Sequence, residues 1–126
     1  MSRWPLRIVS GLLILHGALG FAITPKLFPG LTPDSLGFAQ HGFAFIFLAL
    51  LNLASWQQPR RTRGIRLVVH ACNVAMLGFY ALWCVVKPEP PNYTAAVLLL
   101  LLTLVAAMSD LTAARSATAE GAPATA

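Results

Sequence analysis

The chain has 126 residues, 57% of them hydrophobic and only 10% charged, against roughly 25% charged in an ordinary soluble domain. Its formal charge of +5 comes from basic residues flanking apolar segments, where they orient helices in a bilayer, so no nucleic-acid partner is expected. Charge-free stretches at residues 8–25, 35–59, 67–86 and 90–109 match the ~20 residues that a helix needs to cross ~30 Å of hydrocarbon, and what remains is too short for a soluble catalytic domain.

The expected fold class is all-α: an integral membrane four-helix antiparallel bundle over residues 1–112, then a disordered cytoplasmic tail over 113–126. The first span, residues 6–24, follows Arg3 and Arg7 and is expected to end where Pro25, Pro29 and Pro33 break the helix. Its basic start, apolar run and Ala18-Leu19-Gly20 also fit a cleavable leader. His16 and Gly17 interrupt the apolar run, and cleavage would leave three spans starting outside; both favour a retained helix.

The second span, residues 36–56, carries Phe38, Phe43, Phe45 and Phe47 near its outer half. Gln57-Gln58-Pro59-Arg60-Arg61-Thr62-Arg63-Gly64 then makes a polar turn, so the second and third spans form an antiparallel hairpin. The third span covers 65–86 and leads into Lys87-Pro88-Glu89-Pro90-Pro91-Asn92, expected as an extended polyproline-like link. The fourth, residues 93–111, includes five consecutive leucines from Leu98 to Leu102. Beyond it the chain is rich in Ala, Ser, Thr, Gly and Pro and has no apolar face. Cys72 and Cys84 both fall in the third span, about 18 Å apart along a straight helix, too far to pair with each other.

Orientation follows from the basic residues. Arg3, Arg7, Arg60, Arg61, Arg63, Arg66 and Arg115 lie on one side and only Lys26 and Lys87 on the other, which places both termini in the cytoplasm. Trp4 and Trp56 then lie near the inner interface, and Trp83 and Tyr93 near the outer one.

Counting 1.5 Å per residue from each cytoplasmic end gives a depth for every polar residue. His16, Asn73 and Thr103 come out about 12–15 Å deep and form the candidate ligand-binding cluster. Asn52 and His70 share a level about 6–8 Å deep, where a hydrogen bond across the hairpin is expected; His41 and Tyr80 share a third level nearer the outside. Polar groups at such depth mark either a site or interhelical bonds that hold a bundle together.

No cofactor is expected. Haem would need two histidines at matching depth on facing helices, whereas His16 and His41 differ by about 7 Å and His70 lies deeper toward the cytoplasm. No catalytic residues or metal ligands are expected either: the acids Asp34, Glu89, Asp110 and Glu120 are all outside the deep membrane, Asp110 being placed to pair with Arg7, Arg66 or Arg115. There is no zinc spacing, phosphate-cradling loop or nucleophile elbow. Small residues recur instead: Gly11, Gly17, Ala18, Gly20 and Ala22 in the first span, Gly42 and Ala44 in the second, Gly78 in the third. They are expected to let helices pack closely within the bundle, ahead of any homo-oligomer interface.

The segment Leu6-Arg7-Ile8-Val9-Ser10-Gly11-Leu12-Leu13-Ile14-Leu15-His16-Gly17 resembles the opening helix of DoxX-like proteins, a family of small bacterial four-span membrane proteins. In that family the helix begins with Arg after an apolar residue, has Gly four positions on and ends near His-Gly. Here Gly20-Phe21 stands where a basic residue often follows, and the second span lacks the usual glutamate. The resemblance implies a four-helix bundle in a bacterial inner membrane, sometimes an accessory subunit of respiratory or thiol-redox systems. Two functions are therefore expected: a non-enzymatic accessory or assembly subunit of a membrane complex, with the bilayer and other membrane subunits as partners, or a small transporter or binder of an apolar molecule such as a quinone, oriented by His16, Asn73 and Thr103. A third expectation, an intramembrane redox enzyme using Cys72, competes with that thiol serving as a small apolar packing residue.

Overall fold

The computed structural model describes residues 4–58 and 62–120, with side chains described through Ala113. Four helices account for nearly all of it: α1 Trp4–Leu27, α2 Pro33–Gln57, α3 Arg63–Val86 and α4 Pro90–Glu120. Each contains a stretch long and apolar enough to cross a membrane, so the chain is a multi-pass, all-α membrane protein. α1 and α2 make the most extensive contact, α3 and α4 the next, α1 and α4 close the ring, and α2 touches α3 less than any other neighbouring pair does. The bundle interior runs between all four, with Leu13, Ala49, Leu99 and Leu102 wholly excluded from its surface.

The helix ends explain most departures from the expected spans. α2 starts three residues early because Thr32 caps it: its hydroxyl accepts from Ser35 N at 3.1 Å, Ser35 Oγ accepts from Thr32 N at 2.9 Å, and Pro33 occupies the first turn, where a missing N–H costs nothing. Thr62 caps α3 in the same manner, accepting from Ile65 N.

α1 passes through Pro25 to Leu27, correcting the expected stop at residue 24. A proline so close to the end deletes a single N–H from the last turn, which the helix tolerates. The expected polyproline link is also corrected: Pro90 and Pro91 form the first turn of α4, since proline's fixed φ suits that position, and Asn92 Nδ2 donates back to the Lys87 carbonyl at 2.8 Å. At the other end α4 continues to Glu120, so residues 113–120 are helical where a disordered tail was expected. Alanine there favours helix without needing an apolar face to bury. Residues 121–126 lie outside the described part.

The α1/α2 contact depends on small residues two turns apart. Gly17 and Gly42 stand face to face: a Cβ added to Gly17 would lie 2.5 Å from the Gly42 carbonyl oxygen, and one added to Gly42 would lie 2.6 Å from that of Gly17. The same antiparallel register brings Ser10 level with Ala49 and Thr24 level with Ser35, and all six residues are buried. Seven residues bring a helix back to nearly the same face. The two tracks therefore let the backbones approach along the whole hairpin, and close packing is the main adhesion between helices in lipid.

One member of this track carries an internal cost. The Ser10 hydroxyl is buried without a hydrogen-bond partner, in a place where size rather than polarity matters. Ser10→Ala is therefore expected to stabilise the bundle by about 1 kcal/mol, read as a higher midpoint of unfolding in mixed detergent micelles; a lower midpoint would mean that the hydroxyl is bonded after all.

α4 shows how a uniform leucine run is sorted by the helical period. Ala95, Leu99, Leu102 and Ala106 recur on one stripe and face the core, whereas Val97, Leu100, Leu101 and Leu104 point outward. Outward leucines would be a liability in water. Facing acyl chains, they need no cover.

Candidate functional site

The deepest polar feature is a closed pair. Asn52 on α2 and Asn73 on α3 are both 0% exposed. Asn52 Nδ2 donates to Asn73 Oδ1 at 2.8 Å, and Asn73 Nδ2 donates to Asn52 Oδ1 at 3.0 Å. The second Asn52 proton goes to the Leu48 carbonyl at 2.9 Å. Two carboxamides bonded in a ring satisfy most of each other's polarity, so the pair clamps the otherwise loosest interface of the bundle.

This pairing corrects the expected bond between Asn52 and His70. In a helix the Cα–Cβ bond leans toward the N-terminus. α2 starts at the end remote from the arginine hairpin and α3 starts at the hairpin, so Asn52 leans away from the hairpin and Asn73 leans toward it. The two tips meet although their backbones lie at different counted depths. His70, three residues earlier than Asn73, is turned by about 300° around the same helix and faces α4. There its Nε2 lies 2.8 Å from Asp110 Oδ2, which makes histidine a partner of Asp110; of the arginines expected beside it, the side chain of Arg115 lies outside the described residues.

Both members of that ion-pair geometry keep some contact with the surroundings, at 29% and 16% side-chain exposure, so its contribution is that of a partly screened pair. Removing it with Asp110→Ala is expected to lower stability by about 0.5–1 kcal/mol. A double-mutant cycle with His70→Ala, by unfolding in mixed micelles, checks this; zero coupling would contradict the pairing.

The expected mid-membrane cluster of His16, Asn73 and Thr103 is not joined by hydrogen bonds. Asn73 is held by Asn52, and the Thr103 hydroxyl donates to the Leu99 carbonyl of its own helix at 2.8 Å. His16, half-buried, sets its ring edge-on to Phe45 at a centroid distance of 5.4 Å. Rotation about each helix axis sends the three side chains to different neighbours.

The third expected level does come together, through rings. His41 lies 5.9 Å from Tyr80 with the rings edge-on, 6.0 Å from Phe79 and 5.7 Å from Trp83. Phe45 is 4.8 Å from Tyr80. Phe45 therefore links His16 to Tyr80 and His41 in one continuous series of ring contacts across α1, α2 and α3. The polar atoms of His16, His41 and Tyr80 make no hydrogen bond among the described residues. Sequence reasoning had named all three but had missed Phe45 as the residue that joins them; its position four residues after His41, on the same face, was the available signal.

Beside the asparagine pair lies an open apolar groove of ≈ 580 Å³ between α2 and α3, with Ala44, Phe47, Leu48, Leu51 and Ala54 on one wall and Cys72 and Met76 on the other. Cys72 and Cys84 are free thiols. Of the orientation-setting arginines, Arg63 opens α3 and is exposed and Arg66 is half-buried one turn later; Arg60 and Arg61 lie outside the described residues. The chain matches no family model, no curated protein and no solved structure.

Proposed function

We infer that this chain is a non-enzymatic accessory or assembly subunit of a membrane complex, embedded in a bacterial inner membrane with both termini in the cytoplasm. The observation that supports this reading is the pair of polar contacts between helices. Asn52 and Asn73 bond each other across α2 and α3, and His70 meets Asp110 across α3 and α4, so these polar groups are spent on holding helices together. The DoxX-like pattern of α1 adds a redox complex as the class of assembly to look for, and the arginine count on alternate ends gives the direction of insertion.

The test is purification of the tagged chain from its own membranes in a mild detergent after brief amine- and thiol-independent photo-crosslinking. The reading expects a defined set of membrane polypeptides joined to it, lost when an outward aromatic such as Phe79 is replaced by Ala. A monodisperse chain with no crosslinked polypeptide would overturn it.

A second reading is favoured by one observation, the series of rings around Phe45. His16, His41 and Tyr80 place three side chains that make no hydrogen bond among the described residues next to aromatic faces, an arrangement that suits a molecule with a planar polar head and an apolar body, such as a quinone. This reading expects quinone to co-purify with the chain and to be lost on His41→Ala or Tyr80→Phe. Retention unchanged by both substitutions would remove it.

A further inference from the structure

We propose that Arg63 and Arg66, on the face of α3 that His70 shares, together hold one anionic phosphate group at headgroup depth. The proposal rests on the helices crossing a bilayer and not on the functional reading above. Its first support is an unbalanced charge. Arg66 is half-buried and Arg63 exposed, and neither guanidinium makes a hydrogen bond or an ion pair among the described residues. A guanidinium carries a permanent charge and five N–H donors, and drawing it partly out of water is costly until an anion meets it. The chain itself does not supply that anion. Asp34 and Glu89 are at the opposite end of the bundle, α3 has no acid in its first turn, and Asp110 is engaged by His70 at 2.8 Å.

The second support is arrangement. At about 100° per residue, Arg63, Arg66 and His70 fall within roughly 60° of one another around α3, and the contact of His70 with Asp110 turns that sector toward α4. Residues three apart on one helix face have Cβ atoms about 5–6 Å from each other. Two like charges that close repel, and one shared anion relieves both. Phosphate suits them because each planar fork can present a pair of N–H groups to its oxygens.

The third support is depth. The charge-free run of α3, residues 67–86, spans about 30 Å, the thickness of the hydrocarbon core. Arg63 and Arg66 stand just beyond its end, at the level of lipid phosphates, and basic residues there select anionic headgroups over zwitterionic ones. The same level is open to the aqueous side, from which a free phosphate would bring the same chemistry.

The experiment has one arm for each source. Native mass spectrometry of the full chain, released from neutral micelles with equal phosphatidylglycerol and phosphatidylcholine of identical acyl chains, reads a lipid phosphate. Calorimetric titration of the lipid-free chain in the same micelles with inorganic phosphate reads a free one. The expected result is phosphatidylglycerol retained over phosphatidylcholine by about 30-fold, the effect of two arginines near a membrane surface. Heat of phosphate binding without a lipid preference would identify the free anion as the ligand. R63Q/R66Q is expected to abolish whichever signal is found, and R63K/R66K, which keeps the charges but loses the forks, to restore part of it. Arg7→Gln removes a charge at the same end of the bundle from α1, diagonal to α3, and is expected to leave the signal unchanged. Neither lipid preference nor phosphate heat in the unmodified chain would overturn the proposal. So would a signal that survives R63Q/R66Q, or one that Arg7→Gln lowers equally.

Discussion

Replacing Gly17 or Gly42 with Ala is expected to destabilise the bundle by about 2–3 kcal/mol, near the upper end of what one forced methyl costs in a packed interior. The new Cβ would meet a backbone carbonyl oxygen at 2.5 or 2.6 Å, and a carbonyl cannot swing aside as the tip of a side chain can. The helices must separate, and separation weakens every contact along the track from Ser10/Ala49 to Thr24/Ser35. Controls are built into the same chain: a Cβ at Gly11, Gly37 or Gly78 meets nothing within 4 Å. Alanine at these helical positions should be neutral or stabilising by up to about 1 kcal/mol. Unfolding by titration with a denaturing detergent, monitored by helical circular dichroism, separates the two groups. Similar losses at all five glycines would show that the hairpin contact is not special.

The second large effect is at the asparagine clamp, where single and double replacements should differ in kind. Asn52→Leu leaves the Asn73 carboxamide buried without its partner, and Asn73→Leu does the reverse, each costing about 1–3 kcal/mol. Asn52→Leu with Asn73→Leu removes both polar groups and lets α2 and α3 meet through apolar contact, so the double variant should recover much of the loss. The expected coupling is about 1–2 kcal/mol, the upper range for hydrogen bonds between membrane helices. Additive losses, measured in the same titration, would contradict a reciprocal bond.

These two sites also show what a sequence reveals and what it withholds. Four spans were legible because charge-free length is a one-dimensional signal, and the bilayer imposes a length. The exact termini were less so: Thr32 and Thr62 extend helices outward by capping, Pro25 and Pro90 are tolerated where they remove little, and the alanines after residue 112 carry α4 onward. Which polar residues meet is a two-dimensional question. Counting residues gave depth but not rotation, so it placed His41 with Tyr80 correctly and sent Asn52 to His70 in error.

The opposite lean of side chains on antiparallel helices was a physical rule that would have favoured Asn52 with Asn73. Likewise the glycines were visible as a recurring type, whereas the seven-residue spacing of Ser10, Gly17 and Thr24, mirrored by Ser35, Gly42 and Ala49, became meaningful only once Gly17 was seen against Gly42. The groove was not legible at all, because it reflects how little α2 and α3 touch, a property of neither helix alone.

The bundle depends on lipid, rather than water, solvating the outward faces of α1 to α4. Alkaline carbonate washing of membranes from cells expressing the chain tests that dependence most directly. The expected outcome is full retention in the sedimented bilayer together with a known multi-span marker. Release into the supernatant with peripheral proteins would contradict it, and would oblige the outward leucines of α4 to find a protein cover instead.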